Sequence, residues 1–429
     1  MAEVTFRPAK VAGDVQIPPS KSAAHRALLC AALCETACTV SPIDASADMQ
    51  ATLNGIRAMG RTADFADGAV RIAPGTLPTE PVTVDCGESG STLRFLIPIF
   101  AALGIPATFV GHGRLPERPI GVYTDLLPRH GISVETKGGL PLQIAGKLTA
   151  GEYRLPGNIS SQFITGLLFA LPLLEADSTI ELTTELESKG YIDLTLGVLR
   201  RFGIKILETE TGWAVPGGQK YMGTNCTVEG DWSQAAFYLS LAAVGGGPIR
   251  MHGLDIDSLQ GDKACVALWR QFGLTVTEEN GVWTAENPRA DQPFRGLHGI
   301  RIDAAQIPDM VPALAVTAAF AQGETVIYNA ARLRIKESDR LAAMEEALTA
   351  LGADVTAKPD GLVIRGKTHL TGGRADGKND HRIPMALAAA GCDCTVTVTD
   401  AWSIRKSYPG FYRDLRAIGG DLDVIDLGE

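Results

Sequence analysis

The sequence predicts an α/β protein of two domains, built from six copies of one module. A chain of 429 residues with 45% hydrophobic content can fill two cores, because single cores stop growing near about 250–300 residues. A glycine that suits the end of a helix recurs six times, at intervals of 67 to 79 residues. Intervals of this size are too long for a solenoid repeat and are typical of a small module of helices and strands.

Each module is predicted to open with a strand and a helix. The helix starts recur with the same period as the glycines, at Ser20, Ser89, Ser160, Asp231, Asp309 and Asp380. Ser and Asp are favoured at such positions because their side-chain oxygens accept hydrogen bonds from the free N–H groups of the first turn. Since every module also contains a glycine-ended helix, we expect twelve helices in all.

The second helix of each module is predicted to end at a glycine and to be followed by two strands. These glycines are Gly60, Gly131, Gly203, Gly273, Gly352 and Gly419. Glycine is favoured there because the chain leaves a helix in a left-handed conformation. Alternating stretches such as 204–207 and 274–277 follow the glycines and indicate strands. The predicted module is therefore βαβαββ.

The sixth module stops one strand after its glycine, at residues 421–425. We expect the N-terminal strands, 4–6 and 15–17, to replace the missing partner. Residues 1–17 with 229–429 then form one domain, and residues 18–228 form the other, with three modules in each. Helix N-termini that face an interdomain cleft would concentrate partial positive charge on a ligand bound there.

Composition limits the kinds of partner. A formal net charge of −10 at pH 7 argues against nucleic acid or an anionic membrane. The first residues lack the apolar segment of a signal peptide, and no apolar run approaches the ~20 residues that span a bilayer. We therefore expect a soluble, cytoplasmic protein that acts on small molecules, as a monomer. Its eight cysteines predict reduced thiols, since a secretory signal is missing.

Cations recur where the second helix of a module begins. The polar residues at these starts are Asp48, Arg118, Tyr191, Asp262, Glu337 with Arg340, and Lys406. Cations are disfavoured at a helix N-terminus unless an anion lies among them. The sequence therefore predicts a local positive site for small anions. Spacing also places Cys30, Cys34 and Cys38 on one helix, where core packing is the better interpretation than a metal site.

The stretch from Pro18 to Arg26 is the first such junction. Ser20 is a good N-cap after two prolines, and the apolar run that follows forms a helix body. Ser22 and Arg26 are four residues apart, so they share one face and can bind one anion beside the free N–H groups. Lys21 is expected to add a mobile point charge.

Nine motifs in this order resemble the enolpyruvyl transferase family, over essentially the whole chain. They are Lys21-Ser22-x-x-x-Arg26, 87–94 (Gly-Glu-Ser-Gly-Ser-Thr-Leu-Arg), Glu117-Arg118-Pro119-Ile120, Ser160-Ser161-Gln162-Phe163, 188–193, Ile307-Pro308-Asp309, 334–340 (Arg-Ile-Lys-Glu-Ser-Asp-Arg), Asn379-Asp380-His381-Arg382 and Lys406-Ser407-Tyr408-Pro409. The resemblance is to the branch that acts on shikimate 3-phosphate. It implies two domains of three βαβαββ modules each, with no metal or organic cofactor.

The resemblance also implies a reaction of the shikimate pathway to chorismate and the aromatic amino acids. The 5-hydroxyl of shikimate 3-phosphate attacks phosphoenolpyruvate, and the tetrahedral adduct expels phosphate. Shikimate 3-phosphate binding falls to Lys21, Ser22, Arg26, Ser160, Ser161, Gln162, Ser188, Tyr191, Asp309 and Lys336. Phosphoenolpyruvate binding falls to Lys21, Gly90, Arg118, Gln162, Arg340, His381, Arg382 and Lys406. Two substrates rich in phosphate and carboxylate require such Arg forks and helix N-termini.

Proton transfers are also required, because the methylene carbon gains and later loses a proton while the hydroxyl loses one. The family pattern assigns Asp309 to the hydroxyl, and Glu337 with Lys21 to the carbon and the departing phosphate. Which of that pair moves which proton stays open. The family is also the target of glyphosate, an anionic phosphonate that competes with phosphoenolpyruvate, so this protein is expected to bind it.

Two positions depart from the family pattern, and three alternatives remain. Glu88 replaces an Asn common beside the phosphoenolpyruvate site, and Phe95 replaces a Pro. A sister enolpyruvyl transferase acts on UDP-N-acetylglucosamine, but it carries a reactive Cys in a loop where 111–116 has none. A non-catalytic anion-binding protein would not need the acids Asp309 and Glu337. A substrate that is an analogue of shikimate 3-phosphate has no support in the sequence.

Overall fold

The structure, a computed structural model, describes residues 2–426, which fold into two compact units. The discontinuous unit consists of Met1–Pro18 and Glu229–Glu429, and the inserted unit consists of Pro19–Val228. Each unit has its own hydrophobic core. No helix among residues 2–426 is long and apolar enough to cross a membrane.

The first half of the chain holds the N-terminal strands and the three modules of the inserted unit. The strands before the modules are β1 (Ala2–Arg7) and β2 (Val11–Gln16). The first module has α1 (Lys21–Leu33), β3 (Cys38–Ser41), α2 (Ala47–Ala58), β4 (Thr62–Ala66) and β5 (Ala69–Ala73). The second has β6 (Val82–Asp85), α3 (Gly90–Leu103), β7 (Ala107–Val110), α4 (Gly121–Leu126), β8 (Ile132–Thr136) and β9 (Leu142–Gly146). The third has β10 (Glu152–Leu155), α5 (Ser161–Ala170), β11 (Ser178–Leu182), α6 (Lys189–Arg201), β12 (Leu207–Glu208) and β13 (Gly212–Val215), and β14 (Cys226–Thr227) follows.

The second half of the chain holds the three modules of the discontinuous unit. The fourth module has α7 (Trp232–Gly245), β15 (Gly246–His252), α8 (Cys265–Phe272), β16 (Thr275–Glu279) and β17 (Val282–Glu286). The fifth has β18 (Arg301–Asp303), α9 (Val311–Ala318), β19 (Glu324–Tyr328), α10 (Arg340–Ala350), β20 (Asp354–Lys358) and β21 (Gly361–Arg365). The sixth has β22 (Gly373–Ala375), α11 (Arg382–Ala390), β23 (Val396–Val398), α12 (Phe411–Ala417) and β24 (Asp421–Asp426).

Within residues 2–426 the strands form six four-stranded sheets with one topology. In the second module, for example, β6 is parallel to β7, and β7, β9 and β8 are antiparallel neighbours. These sheets and the twelve α-helices of the described chain confirm the six-module α/β prediction. The six predicted helix-ending glycines all have positive φ, from 79° to 109°, because the chain turns left-handed where each helix ends.

The two N-terminal strands serve different modules, which corrects the expectation that both complete the sixth. β1 pairs with β23 and β24 in the sixth module, whereas β2 is parallel to β15 in the fourth. The fourth module needs a strand because the chain enters it directly at the start of α7, where the Asp231 N–H donates to the Pro18 carbonyl at 2.9 Å. In the first module, β14 fills the same place beside β3.

The predicted helix starts are correct in four modules and wrong in two. Ser20, Ser89, Ser160 and Asp231 each cap a helix with the side chain. Asp309 lies inside a short 3-10 helix, Pro308–Met310, before α9, and the residue that precedes α11 is His381 instead of Asp380. Both carboxylates bind arginine side chains, as described below, although Asp380 Oδ1 also accepts a hydrogen bond from the N–H of Arg382, the first residue of α11, at 3.0 Å.

Candidate active site

At the start of the inserted unit, Lys21 is fixed by an acid. The Ser20 hydroxyl accepts a hydrogen bond from the Ala23 N–H at 3.3 Å and so caps α1. Next to it, Lys21 Nζ forms an ion pair with Asp48 Oδ2 at 2.7 Å, with 17% and 12% of the two side chains exposed. Lys21 is therefore paired with Asp48 in this structure.

Arg26 lies buried on α1, only 2% exposed, and binds neutral groups. Its Nη1 donates to the Ser22 carbonyl at 2.7 Å, and its Nη2 donates to the Tyr191 carbonyl at 3.1 Å. The Nε donates to the Thr195 hydroxyl at 2.8 Å. Burial lowers the pKa of Arg26 to about 10, since these partners bring no full negative charge. The structure thus brings Ser22 and Tyr191 together around the buried cation of Arg26.

Gly90 and Arg118, both predicted to face one ligand, are in direct contact. Gly90 is the first residue of α3, and Ser89 caps the helix. A Cβ built on Gly90 would lie 2.8 Å from Arg118 Nη1 and 2.9 Å from its Cζ, closer than carbon atoms approach in proteins. The guanidinium, in a residue that is 7% exposed, thus occupies space beside the helix start that a side chain at position 90 would enter.

Gln162 belongs to a hydrogen-bonded group that includes the start of α3. Its Oε1 accepts from Arg94 Nη1 at 2.6 Å, and its Nε2 donates to the Ser91 hydroxyl at 3.0 Å. Arg94 Nη2 also donates to the carbonyl of Pro119, the neighbour of Arg118, at 2.9 Å. One buried arginine thus connects three of the predicted motifs.

The three remaining serines stand at the starts of helices α5 and α6. The Ser160 hydroxyl accepts from the Gln162 N–H at 3.3 Å, and Ser161 is the first residue of α5. Ser188 precedes α6 with φ of 57°, an uncommon conformation for a residue with a side chain. Glu88, the departure from the family pattern, places its carboxylate beside Gly113, where a built Cβ would be 2.3 Å from Oε2.

In the discontinuous unit, Arg340 is surrounded by carboxylates. Its residue is 1% exposed. Its Nε donates to Asp380 Oδ2 at 2.8 Å, its Nη1 to Asp309 Oδ1 at 2.9 Å and its Nη2 to Glu337 Oε2 at 2.7 Å. Burial alone would lower the pKa of Arg340, but Asp380, Glu337 and Asp309 together raise it above its ordinary value. Burial likewise would raise the pKa of Asp380, and Arg340 is the main cause of its net lowering.

Asp309 accepts hydrogen bonds from three cations that belong to two motifs. Besides Arg340, these are Lys336, with Nζ 3.5 Å from Oδ1, and Arg382, with Nη2 3.1 Å from Oδ2. Arg382 Nη1 also donates to the Asp309 carbonyl at 2.9 Å. Burial lowers the pKa of Lys336 to about 8, although Asp309 opposes this change.

The start of α11 completes the cluster. His381 is 1% exposed, and its Nδ1 lies 3.9 Å from Asp380 Oδ1. Arg382 Nη2 donates to the Ser233 hydroxyl at 3.2 Å, and that hydroxyl donates to Asp231 Oδ1 at 2.8 Å. Further along the chain, Lys406 Nζ donates to the Asn379 carbonyl at 2.5 Å. The structure therefore groups Asp309, Lys336, Glu337, Arg340, His381 and Arg382, and it ties Lys406 to the loop before His381.

Several partners of these side chains were missed from the sequence. They are Asp48, Thr195, Ser233 and Asp380, which bind Lys21, Arg26, Arg382 and Arg340 respectively. Helical spacing could have found Thr195, since it is four residues after Tyr191, and Asp380 lies within a quoted motif. Within residues 2–426, no group of three or more His, Cys, Asp and Glu side chains is arranged to hold a metal ion.

Comparison with known proteins identifies the family of the chain. The profile of EPSP synthase (3-phosphoshikimate 1-carboxyvinyltransferase) matches residues 6–415. The 3-phosphoshikimate 1-carboxyvinyltransferase of Clostridium kluyveri is 45% identical over 434 residues and covers 100% of both chains. That of Clostridium acetobutylicum is 46% identical over 435 residues and covers 99% of both.

A solved structure is similar over the same length. The EPSP synthase of Acinetobacter baumannii superposes with a TM-score of 0.82 at 27% identity, and the match covers 99% of this chain and 100% of the other. Sequence and structure thus agree over the whole chain, from the N-terminal strands to the sixth module. The chain belongs to the EPSP synthase family.

Proposed function

We propose that this protein is a 3-phosphoshikimate 1-carboxyvinyltransferase: it transfers the enolpyruvyl group of phosphoenolpyruvate to the 5-hydroxyl of shikimate 3-phosphate and releases phosphate. The observation that carries the proposal is the 45% identity, over full length, with a relative of that name. In this role the protein supplies the precursor of chorismate in aromatic amino acid biosynthesis.

Shikimate 3-phosphate is assigned first to the inserted unit. Ser22, Arg26, Ser160, Ser161, Gln162, Ser188 and Tyr191 bind it there, together with Lys21, and Lys336 and Asp309 contribute from the discontinuous unit. The buried guanidinium of Arg26 supports this assignment, because its neutral partners leave its charge available to a phosphate. Free N–H groups at the starts of α5 and α6 are suited to bind an anion as well.

Phosphoenolpyruvate is assigned to Lys21, Gly90, Arg118, Gln162, Arg340, His381, Arg382 and Lys406. The contact between Gly90 and Arg118 supports this, since it keeps a guanidinium beside a helix start that lacks a Cβ. Arg340 already holds Glu337 at 2.7 Å. An incoming phosphate or carboxylate therefore competes with Glu337 for this arginine.

The chemistry follows from the acids and the lysine. Asp309 takes the proton of the 5-hydroxyl as its oxygen bonds to C2 of phosphoenolpyruvate, and the methylene carbon gains a proton and becomes a methyl group. That carbon then loses a proton as the bond from C2 to the phosphate oxygen breaks and phosphate departs. Glu337 and Lys21 serve these carbon and phosphate steps, and their contacts with Arg340 and Asp48 fix their directions.

The protein is further expected to act as a cytoplasmic monomer. All eight cysteines are free, which suits a reducing compartment. Light scattering after size-exclusion chromatography tests the oligomeric state, and a mass twice that of the chain would contradict the monomer.

Phosphate release with both substrates tests the proposed function. We expect release only when shikimate 3-phosphate and phosphoenolpyruvate are both present, in equal amount to the enolpyruvyl product. UDP-N-acetylglucosamine in place of shikimate 3-phosphate is the control for the sister activity, and it should give none. The proposal fails if the pair of substrates yields no phosphate, or if the nucleotide sugar yields more.

A further inference from the structure

Both backbone groups of Asn379 are bonded to one short stretch of the sixth module. The Asn379 N–H donates to Asp400 Oδ2 at 2.9 Å, and the Asn379 carbonyl accepts from Lys406 Nζ at 2.5 Å. Asp400 immediately precedes the 3-10 helix Ala401–Lys406, whose last residue is Lys406. One residue of the loop is thus held between the two ends of a single helical segment.

The loop adopts a conformation that needs such support. Lys378 and Asn379 have φ of 51° and 48°, and Asp400 has φ of 52°. Left-handed conformations are uncommon for residues with a side chain and persist where the surroundings impose them. Here Asp376 Oδ1 accepts from the Lys378 N–H at 2.8 Å, and Asp400 accepts from the next N–H along the chain. Two carboxylates therefore hold two consecutive left-handed residues.

The same loop is closely packed against the strand end that precedes Asp400. A Cβ on Gly377 would lie 2.3 Å from the Thr399 carbonyl oxygen. The Thr399 hydroxyl accepts from the Gly377 N–H at 3.1 Å and donates to Asp376 Oδ1 at 3.1 Å. The position of the Asn379 carbonyl is therefore determined by the segment 399–400.

We propose that Asp400 is a positioning residue for Lys406, acting through the main chain of Asn379. Its carboxylate holds the Asn379 N–H, which turns the following carbonyl toward Lys406 Nζ and fixes the direction of a side chain with four rotatable bonds. Without that acceptor the loop relaxes from its left-handed conformation and the amine loses its fixed place. The consequence for catalysis rests on the proposed function, in which Lys406 binds phosphoenolpyruvate.

Two substitutions at Asp400 separate the acceptor from the backbone conformation. Asp400→Gly permits positive φ but removes the acceptor, whereas Asp400→Asn permits positive φ and keeps an oxygen that can accept the N–H. We expect Asp400→Gly to raise KM for phosphoenolpyruvate at least about fivefold, within the usual range of coupling between neighbours. KM for shikimate 3-phosphate should change less than about twofold, and Asp400→Asn should restore both values.

A Lys406→Ala background distinguishes positioning from general damage. If Asp400 acts through Lys406, Asp400→Gly has almost no further effect on KM for phosphoenolpyruvate in that background. An equal effect in both backgrounds, or an equal loss in Asp400→Asn, overturns the proposal. Should Asp400→Gly fail to fold, Thr399→Val removes the neighbouring anchor of the loop, and the same comparison of backgrounds applies to it.

A measurement without substrates keeps this inference separate from the proposed function. In protein labelled with 13Cε-lysine, the signal of Lys406 is assigned by its loss in Lys406→Arg. We expect Asp400→Gly to shift this signal and Asp400→Asn to leave it in place. An unmoved signal in Asp400→Gly overturns the positioning role, even in an active enzyme. If the wild-type protein releases no phosphate, the proposed enzymatic function is overturned. The shift of the Lys406 signal in Asp400→Gly then still decides whether Asp400 positions Lys406.

Discussion

The two units differ in the groups that surround a buried arginine: neutral groups in one unit and carboxylates in the other. In the inserted unit, Arg26 donates to two carbonyls and a hydroxyl, and burial lowers its pKa to about 10. In the discontinuous unit, Arg340 donates to three carboxylates, which raise its pKa. A buried charge without a counter-charge is costly, and a bound anion recovers that cost. The surroundings of Arg26 are therefore prepared for an anion, whereas at Arg340 an anion must compete with acids of the protein.

The largest expected difference is in stability. Asp380→Ala removes a buried partner of Arg340 and should lower the free energy of unfolding by about 3 kcal/mol. Thr195→Val removes one neutral partner of Arg26 and should cost about 1 kcal/mol. Hydrogen exchange of peptides from α10 and α6, measured across a range of urea concentrations, reports each unit separately. Equal costs in the two variants would contradict the contrast between the units.

The next largest expected effect is a loss of turnover in variants of the proposed proton-transfer residues. Glu337→Gln keeps the size of the side chain but removes its charge, and kcat should fall at least ~10²-fold, the usual scale for a group that transfers protons. In Lys21→Ala, a variant of the inserted unit, kcat should fall by a similar factor. The exposed Glu279→Gln on β16 is the matched control and should keep the parent rate of phosphate release. Near-normal turnover in Glu337→Gln would remove Glu337 from the mechanism.

The contact between Gly90 and Arg118 predicts a change in inhibitor binding. Gly90→Ala places a methyl group where Arg118 Nη1 would be 2.8 Å away, so the guanidinium must move. Glyphosate is longer than phosphoenolpyruvate and should lose at least about tenfold in affinity, or ~1.4 kcal/mol, while phosphoenolpyruvate loses less.

Gly121 provides the matched glycine for this test. A Cβ built there meets nothing within 4 Å, so Gly121→Ala should change neither the inhibition constant for glyphosate nor KM for phosphoenolpyruvate. An unchanged ratio of the two constants in Gly90→Ala would show that Gly90 does not line the site. A parent protein resistant to millimolar glyphosate would point to the negative charge of Glu88.

The smallest effect concerns pH. Burial lowers the pKa of Lys336 to about 8, so the folded protein loses this positive charge as pH rises through 8, while an unfolded chain keeps it to about 10.4. KM for shikimate 3-phosphate should therefore rise about fivefold between pH 7 and pH 9. Lys336→Arg stays charged and should flatten this rise. The same rise in Lys336→Arg would assign it to another group.

The pH dependence of stability that Lys336 causes is opposite in sign to that of a lysine whose pKa is raised by an ion pair in the folded protein. Because the folded pKa is lower than the unfolded one, the unfolded chain binds more protons between about pH 8 and 10.4. The contribution of Lys336 to the free energy of unfolding therefore rises with pH in that window. Lys336→Met should abolish this part of the pH dependence.

Much of the fold was predictable because the modules repeat local signals. Each helix-ending glycine occupies a position that requires positive φ, so its spacing revealed the period directly. The predicted helix starts were wrong at Asp309 and one residue early at Asp380, where arginines distant in sequence bind the carboxylates. A local rule cannot include such competitors. The partner of β2 was missed for the same reason, since β15 lies more than 200 residues later.

The site was less predictable than the fold. The motifs identified the cations, because helix N-termini that carry Arg, Lys and His need an anion. The partners of these cations, such as Asp48 for Lys21 and Ser233 for Arg382, lie on other helices. Their side chains are ordinary for helix starts, so only the tertiary structure distinguishes a partner from a cap.

The pairing of β1 with β24 has a consequence for synthesis on the ribosome. Arg7 is opposite Asp421 in the register of these strands, so the chain between them must be made before β1 has its neighbours. The inserted unit is encoded without interruption and is complete at residue 228, so it can fold while the remaining modules are still being translated. The first strand of the protein is therefore among the last to be hydrogen-bonded. A nascent chain must keep this segment, in which Ala2, Val4 and Phe6 are apolar, from aggregating until β23 and β24 emerge.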